Sequence, residues 1–532
     1  MPDTMISIIM TLALAFLFRA YVVEAFVIPT GSMAPTLMGA HYRVQSPATG
    51  AVFAIDRRAG DLTENTVVRD PYSNTRLTLD SRSVLDGDRI FVRKRTPLTP
   101  VPERFSVVVF RSPTEPDERV IKRLIGRPGE QVALVDGDVF VRTAEGTDPT
   151  DASAWEGAGW SIARKPERVQ RSVWQPVFDA RYAAAAAAMV PAQGGDSLGN
   201  GALLGPWSPT TTGWSSSEAG VLRYAGDGAS ALLWDTELWE IRDRSVYNDI
   251  DDRRDQRMGD GGVRSGLPPY YPVSDLRLAF GYEPSGAASK LEFRLWARSV
   301  EFSFIVDAAT DGQVVLIRSR PSEDDDWNVL AEAPIDLPTD RATWIECWHA
   351  DQSLAVYIAG ERVAAATYDW AITERIARSI PGADLDALLD ITDGLNGLSD
   401  PNQYRQPELA VALDGPGALH GLRLDRDLHY HPFHPQYRVM HDPPPLATHP
   451  NTTVTLGPGQ LFVLGDNSAA SRDGRSWGQP DPWVADTFPT TATEGVLPEQ
   501  LLLGEAFFVY FPAMRHRGGL PIPDFGRMRL IR

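Results

Sequence analysis

The first 28 residues form a long, mostly apolar stretch. Met5 to Phe18 is 14 residues without a charged side chain, and the pattern then continues to residue 28 with Arg19 and Glu24 as its charged members. As a helix, residues 5–28 would be about 36 Å long, which is enough to cross a bilayer. The pattern therefore predicts a retained transmembrane anchor over 5–28. A cleaved signal peptide and a buried helix of a soluble protein are the alternatives.

Short runs of alternating apolar and polar residues follow this stretch. Such period-2 patterns are typical of β-strands. The Asp136-Gly137 pair between two of the runs is typical of a two-residue hairpin turn. The predicted strands are 88–94, 105–110, 119–126, 131–135 and 138–141, with further strands near the C-terminus at 460–464 and 501–511.

The centre of the chain has many short alternating runs between residues 207 and 430. Their close spacing predicts an antiparallel β-sandwich inserted into the surrounding strands. We therefore expect a mainly β protein. Its predicted segments are an anchor (5–28), a first part of the core (29–142, with an extended link over 38–86), a linker (143–205), the inserted sandwich (206–435), a second linker (436–455) and a second part of the core (456–532).

The charge of the 532-residue chain supports this division. The net charge is −19, and residues 143–455 carry 46 acidic and 26 basic residues, a net of −20, so the flanks are balanced at +1. An acidic surface argues against nucleic acid as a partner. The single cysteine, Cys347, permits no intrachain disulfide.

Candidate chemistry begins at Ser32, in a turn directly after the apolar stretch. A serine hydroxyl is a weak nucleophile and needs a base. None of the nine histidines lies in a recognisable triad context, and the chain has only four lysines. Lys122 lies inside an apolar strand, where a lysine loses its charge more easily and suits a general base. Spacing alone leaves two alternatives open: Lys122 on a solvent-facing strand surface, and Ser32 as an ordinary turn residue.

Four motifs, taken together, resemble those of bacterial type I signal peptidases, the leader peptidases. They match the family in order and cover about residues 5–142 and 456–532. They are Pro29-Thr30-Gly31-Ser32-Met33-Ala34-Pro35-Thr36-Leu37; Gly87-Asp88-Arg89-Ile90; Val120-Ile121-Lys122-Arg123-Leu124-Ile125-Gly126-Arg127-Pro128-Gly129-Glu130; and Gly465-Asp466-Asn467 with Ser471-Arg472-Asp473-Gly474-Arg475-Ser476-Trp477-Gly478.

The resemblance implies roles for individual residues. Ser32 would be the nucleophile and Lys122 the general base, with Ser471 orienting the Lys122 amine. Thr30, where the family often has serine, would form the oxyanion hole with the Ser32 N–H. The remaining implied residues are a supporting salt bridge between Asp473 and Arg475 and small substrate pockets lined by Ile28, Met33, Leu37, Val120 and Ile121.

The implied function is that of a membrane-anchored serine endopeptidase. It would remove signal peptides at Ala-x-Ala sites from secretory precursor proteins, on the outer (periplasmic) face of the inner membrane. Its partners would be those precursors and the lipid bilayer, and it would need no cofactor and no metal.

The inserted segment leaves a second interpretation open. Its strand pattern near Trp344 resembles concanavalin- and laminin-G-like jelly rolls, without a motif that names a ligand. The alternative function is therefore a membrane-anchored carbohydrate- or protein-binding module carried on a peptidase-like scaffold. Two clusters, Asp249 to Asp252 and His429, His431 and His434, have metal-ligand residue types, but neither has the pattern of a known metal loop.

Overall fold

The computed structural model describes most of the chain. The described residues are 2–57, 67–72, 76–78, 84–96, 99–144, 155–182, 205–216, 220–248, 250–251, 270–285, 289–309, 312–338, 341–391, 396–432, 444–513, 515–517, 520–522 and 524–532. Parts of both predicted linkers, together with Asp249, Asp252 and His434, lie outside these ranges. Over the described residues the prediction of a mainly β protein is confirmed.

Helices are few in the described parts of the chain. The α-helices are α1 (Pro2–Tyr21), α2 (Glu167–Val173), α3 (Ile372–Ser379), α4 (Leu385–Leu389) and α5 (Pro482–Thr487). Short 3-10 helices are Gly31–Met33, Val246–Asn248, Gly397–Ser399, Pro401–Gln403, Pro450–Thr452, Ser468–Ala470, Glu499–Leu501 and Phe525–Arg527.

The strands follow the chain in three groups. Before residue 144 they are β1 (Val23–Val27), β2 (His41–Gln45), β3 (Val52–Asp56), β4 (Val67–Arg69), β5 (Arg76–Thr78), β6 (Val84–Leu85), β7 (Arg89–Lys94), β8 (Val107–Arg111), β9 (Arg119–Gly126), β10 (Glu130–Val135) and β11 (Asp138–Thr143). The central group is β12 (Ser161–Ile162), β13 (Gln175–Asp179), β14 (Trp207–Pro209), β15 (Trp214–Ser215), β16 (Val221–Tyr224), β17 (Ala229–Trp234), β18 (Ile250–Asp251), β19 (Leu276–Pro284), β20 (Lys290–Ala297), β21 (Val300–Asp307), β22 (Val314–Arg320), β23 (Asn328–Pro334), β24 (Thr343–Ala350), β25 (Ser353–Ile358), β26 (Glu361–Thr367), β27 (Glu408–Asp414) and β28 (Gly417–Arg426). The last group is β29 (Val454–Thr455), β30 (Gln460–Leu464), β31 (Leu497–Pro498), β32 (Leu502–Phe511), β33 (Arg515–Arg517), β34 (Leu520–Ile522) and β35 (Arg529–Leu530).

The prediction of a transmembrane helix over residues 5–28 is wrong. Helix α1 ends at Tyr21, and the following residues form β1, which pairs antiparallel with β7. Glu24 in β1 forms ion pairs with Lys94 (3.1 Å) and Arg119 (3.2 Å), so it belongs to the sheet. Among the residues that the structure describes, no helix has both the length and the apolar character needed to cross a membrane.

The two flanks of the chain share their sheets. In the larger sheet the strands lie in the order β1-β7-β32-β8-β9-β30-β31, with β35 on β32, and in the second sheet the order is β12-β11-β10-β29. The larger sheet thus combines strands from both flanks, and the second sheet joins β10 and β11 to strands β12 and β29 from the two ends of the 143–455 block. The predicted strand over 105–110 begins only at Val107, because Phe105 has a left-handed backbone (φ 68°).

The extended link over 38–86 forms two small ribbons in its described parts. Strands β3-β2-β6 make one ribbon, and β18-β4-β5 make the other. Because β18 comes from the inserted segment, Ile250 and Asp251 pair with Val68 and Val67 of the link. The link and the insertion are therefore joined by backbone pairing.

The inserted segment contains two facing antiparallel sheets. Their strand orders are β15-β16-β28-β19-β24-β25-β26, with β13 on β28, and β14-β17-β27-β20-β21-β22-β23. Alternate residues such as Leu278 and Phe280 of β19 and Phe293 of β20 are fully buried between the sheets. Each such side chain contributes about 1.5–3 kcal/mol by leaving water. Residues 155–182, within the predicted linker, contain β12, α2 and β13.

Buried charges join the core to the insertion at the β10–β11 hairpin. The hairpin prediction is confirmed: Asp136 and Gly137 both have positive φ, 48° and 82°, as this turn requires. The Asp136 carboxylate accepts from Arg298 (2.5 Å) and Arg375 (2.9 Å) of the insertion, and Asp138 also pairs with Arg375. Burial alone would raise the pKa of Asp136, but the two guanidinium groups hold it below its usual value.

A buried histidine makes the insertion sensitive to acid. His349 Nδ1 lies 2.9 Å from the Ser274 carbonyl oxygen and Nε2 lies 2.8 Å from the Tyr368 hydroxyl. Because a carbonyl only accepts, we assign the proton to Nδ1, and Nε2 accepts from Tyr368. Burial lowers the pKa of His349 from 6.5 to about 4.

Between these two pKa values the unfolded imidazole binds a proton and the folded one does not, so stability falls as the pH falls. From pH 7.5 to pH 5 this group should remove about 2 kcal/mol from the free energy of unfolding. Urea unfolding of His349→Asn and the wild type at both pH values should show a decrease in the free energy of unfolding that is smaller in His349→Asn by that amount. An unchanged pH difference in His349→Asn would contradict the assignment.

Candidate active site

Ser32 is buried in its 3-10 turn (9% exposed), and the loop around it is fixed by the Gly87-Asp88 motif. The Ile28 N–H donates to the Asp88 carbonyl (2.9 Å), and the Met38 N–H donates to the Asp88 carboxylate (3.0 Å). A Cβ on Gly87 would lie 1.8 Å from the Ile28 carbonyl oxygen, so only glycine allows this approach. This motif therefore holds both ends of the loop that carries Ser32.

Lys122 reaches Ser32 from the middle of β9. Its strand pairs with β8, where Val108 lies opposite Lys122, and the lysine side chain is almost completely buried (2% exposed). Lys122 Nζ lies 2.6 Å from Ser32 Oγ, a hydrogen-bond distance. The structure thus excludes the solvent-facing alternative for Lys122 and brings together the two residues that the sequence singled out.

Ser471 is also fully buried beside this pair. Gly465 separates it from the Ser32 backbone: a Cβ on Gly465 would lie 2.2 Å from Ser471 Oγ and 2.4 Å from the Ser32 carbonyl oxygen. Because Gly465 has no side chain, Ser471 and the Ser32 turn can both pack closely against the Gly465 backbone. The role of Ser471 as the group that orients Lys122 stays a prediction.

The salt bridge predicted between Asp473 and Arg475 is present and fully buried. The Asp473 carboxylate accepts from Arg475 Nε (2.9 Å) and Nη2 (2.8 Å) and from the Gly465 N–H (3.0 Å). Burial would raise the pKa of Asp473, but the Arg475 charge and hydrogen bonds, with a smaller contribution from Lys122, lower it. The ionised carboxylate thus fixes the Gly465 backbone.

A second buried ion pair, which the sequence reasoning missed, lies directly behind the Ser32–Lys122 pair. Arg123 binds Asp466 with Nε to Oδ1 at 2.7 Å and Nη2 to Oδ2 at 2.5 Å, and both side chains are fully buried. The Thr36 hydroxyl donates to the same carboxylate at 2.5 Å. Arg123 directly follows Lys122, and Asp466 directly precedes Asn467, so both charged residues lie in the quoted motifs. Their place in these motifs is the sequence feature from which the ion pair could have been predicted.

The predicted pocket and oxyanion residues are only partly brought together. Ile28, Met33, Leu37 and Ile121 pack in one buried cluster, whereas Val120 packs in a different cluster around Phe110 and Trp477. This separation follows from the strand, since neighbouring residues of β9 point to opposite faces. The Thr30 hydroxyl lies 3.5 Å from Ser32 Oγ, at the outer limit of a hydrogen bond.

One of the predicted metal-type histidines, His431, lies against the Ser468–Arg475 segment. The His431 N–H donates to Ser468 Oγ (2.8 Å), and the His431 carbonyl accepts from Arg475 (3.0 Å). The His431 ring lies against the buried Asp243 carboxylate, and burial lowers the pKa of His429 to about 4. The structure therefore gives His431 a carboxylate partner from the insertion.

The tight packing around Gly465 predicts a large effect of one methyl group. Gly465→Ala must displace the Ser32 backbone, and we expect it to lower the free energy of unfolding by about 1–3 kcal/mol. Gly478→Ala, in the same motif with open space around its Cβ, should change stability by less than about 1 kcal/mol. Urea unfolding of both variants checks this, and equal losses would contradict it.

Comparison with known proteins finds similarity in two segments of the chain. Residues 66–200 and 432–511 match the family model for signal peptidase, peptidase S26; these segments include Lys122 and Ser471, and Ser32 precedes them. Signal peptidase I of Rickettsia bellii is 32% identical over 135 residues, 25% of this chain and 37% of that protein. Signal peptidase I of Rickettsia massiliae is 32% identical over 135 residues, 41% of that protein. The chain spans about two fifths of the length of these relatives.

Among solved structures, similarity is low. The carbohydrate-binding module CBM66 from Bacillus subtilis is 10% identical, with a TM-score of 0.24, and the match covers 41% of this chain and 95% of the module. The galectin LEC-6 of Caenorhabditis elegans is 10% identical, with a TM-score of 0.18, and the match covers 30% of this chain and 94% of that chain. These values carry no argument about a ligand.

The resemblance seen in the sequence motifs is confirmed by the family model and by the curated relatives. The inserted β segment lies between the two matched parts. Residues 66–200 and 432–511 are thus similar to the signal peptidase family, peptidase S26.

Proposed function

We propose that this protein is a serine endopeptidase that removes signal peptides from exported precursor proteins, with Ser32 as nucleophile and Lys122 as general base. The observation that carries the proposal is the 2.6 Å distance between Lys122 Nζ and Ser32 Oγ in a buried site. The family match of the flanks gives it the reaction class. No described contact favours the alternative of a binding module on an inactive scaffold.

In the proposed mechanism Lys122 acts as a neutral amine. It takes the Ser32 proton as Oγ attacks the scissile carbonyl, then gives that proton to the leaving amine, which leaves an acyl-enzyme. Water attacks the ester with Lys122 again as base, and Ser32 is released. The Thr30 hydroxyl and the Ser32 N–H would stabilise the oxyanion.

Ser471 would orient the Lys122 amine in this mechanism. Support comes from its complete burial, from its approach to Gly465, and from the Asp473–Arg475 ion pair that fixes the same backbone. A third group of this kind keeps the base in a productive rotamer, as in other catalytic triads.

The substrate would bind as an extended segment with small residues in the pockets. The cluster of Ile28, Met33, Leu37 and Ile121 is apolar and tightly packed, which suits alanine side chains of an Ala-x-Ala site. We also propose that cleavage takes place at the outer face of the inner membrane. The reason is that the signal peptide of an exported precursor is an apolar segment bound in the bilayer.

Loss of either member of the dyad should abolish cleavage. We expect Ser32→Ala and Lys122→Ala to lower kcat by about 1,000-fold or more, measured on a purified precursor with an Ala-x-Ala site by gel and mass spectrometry. Lys122→Arg should be equally inactive, because arginine does not lose its proton.

Matched controls for these variants are Ser322→Ala, at an exposed position, and Lys290→Ala in β20; both should retain full activity. Retention of more than about one tenth of the activity in Ser32→Ala or Lys122→Ala would refute the dyad.

The packing of β9 predicts which residue limits substrate size. Replacing the alanine before the scissile bond by leucine should lower kcat/KM by about 100-fold. Ile121→Ala, which opens the cluster around Ile28, should recover about tenfold for the leucine precursor. Val120→Ala opens the other cluster and should recover nothing. Recovery in Val120→Ala alone would contradict this assignment of the pocket.

A further inference from the structure

The inserted segment contacts the Ser32 turn through one short 3-10 turn, Val246–Asn248, which we call the 246–248 turn. The side chains of this turn are buried against the core: Tyr247 is 3% exposed and Asn248 is 6% exposed. The insertion therefore contributes to the surroundings of the nucleophile itself.

Asn248 forms a paired hydrogen bond with Asn467. Asn248 Nδ2 donates to Asn467 Oδ1 (2.6 Å), and Asn467 Nδ2 donates back to Asn248 Oδ1 (2.9 Å). Asn467 in turn binds the Ser32 turn twice, with Nδ2 to the Gly31 carbonyl (2.9 Å) and its backbone N–H to the Ser32 carbonyl (3.1 Å).

These contacts fix which way the Asn467 amide points. Its NH₂ group must face both the Gly31 carbonyl and Asn248 Oδ1, because both are acceptors, and only its oxygen can accept from Asn248 Nδ2. All three side-chain contacts are buried, so water does not replace a lost partner without rearrangement. The Gly31 carbonyl thus sets the orientation of the Asn467 amide, and Asn248 holds the amide there with two hydrogen bonds.

Tyr247 supports the same turn by packing. A Cβ on Gly31 would lie 2.2 Å from Tyr247 Cε1, and the three nearest atoms to that position all belong to the Tyr247 side chain. The tyrosine ring therefore lies directly against the backbone of Gly31. The residue before Ser32 is thereby confined by an aromatic face from the insertion.

The 246–248 turn is itself held firmly. The Asn248 N–H donates to the Ser245 carbonyl (3.0 Å), and Val246 packs on the apolar cluster of the link that includes Tyr42 and Ile55. Strand β18 follows at Ile250 and pairs with β4. Residues on both sides of the 246–248 turn are fixed by these contacts. The turn therefore holds Tyr247 and Asn248 at defined positions against the Ser32 turn.

We propose that Asn248 and Tyr247 are positioning residues for Ser32, so that the inserted segment completes the active site of the peptidase. This rests on the proposed function. Neither residue needs to touch the substrate, since Asn248 acts through Asn467 and Tyr247 acts through Gly31. A misplacement of about 1 Å in a nucleophile can cost about 100-fold in rate, so their loss lowers kcat and leaves KM unchanged.

The first test compares Asn248→Ala and Asn248→Asp with the wild type and with Asn328→Ala, an exposed asparagine of the insertion. We expect kcat for precursor cleavage to fall about 10- to 100-fold in both Asn248 variants, with KM within about twofold. Asn248→Asp should be the slower one, because it sets two acceptor oxygens against each other. Asn328→Ala should match the wild type.

A double-mutant cycle tests the route of the effect. If Asn248 acts through Asn467, the Asn248→Ala/Asn467→Ala variant should be no slower than Asn467→Ala alone. A kcat for Asn248→Ala within about threefold of the wild type, or losses that simply add in the double variant, would overturn the proposal. A rise in KM without a fall in kcat would also overturn it.

A stability cycle tests the contact independently of the reaction. Gly31→Ala should lower the thermal unfolding midpoint, and the same change in a Tyr247→Ala background should lower it much less, because the ring is gone. Equal decreases in both backgrounds would refute the packing argument. If the wild type cleaves no precursor, the proposed function fails, and this cycle still decides whether the insertion confines the Ser32 turn.

Discussion

The buried ion pair between Arg123 and Asp466 is the constraint on which the site depends. Arg123 directly follows Lys122, and Asp466 precedes Asn467, so the pair ties the base-bearing strand to the loop that holds the Ser32 turn. The Thr36 hydroxyl adds the segment after Ser32 to the same carboxylate. Removing one partner of a fully buried pair costs about 3–5 kcal/mol, so these segments keep one relative position.

The insertion joins this core through directional polar contacts. Its own apolar core lies between its two sheets, whereas its contacts with the flanks include the Asp136–Arg298–Arg375 cluster and the Asn248–Asn467 pair. Charged and amide hydrogen bonds depend on distance and angle more strongly than apolar packing does. These polar contacts therefore hold the insertion in one orientation. Apolar packing alone would define that orientation less strictly.

Much of this organisation could be predicted from local sequence signals. Strand periodicity predicted β9, the hairpin at Asp136-Gly137 and the strands of the insertion, since each depends on neighbouring residues. The N-terminal segment was misread because apolar character alone does not distinguish a helix end from β1, whose partner β7 lies about 65 residues later. The role of Asn248 could not be predicted for the same reason, because it depends on a contact with a residue 219 positions away.

The long separation between the parts of the site also orders events during synthesis. Gly31 and Asn467 are 436 residues apart, so the segment that holds the Ser32 turn is made long after the turn itself. At about 5–20 residues per second, the ribosome takes about 20–90 s to extend the chain from one to the other. During that interval neither Asp466 nor Asn467 is present to fix the loop that carries Ser32, so the Ser32 turn lacks these contacts until the ribosome has passed residue 467.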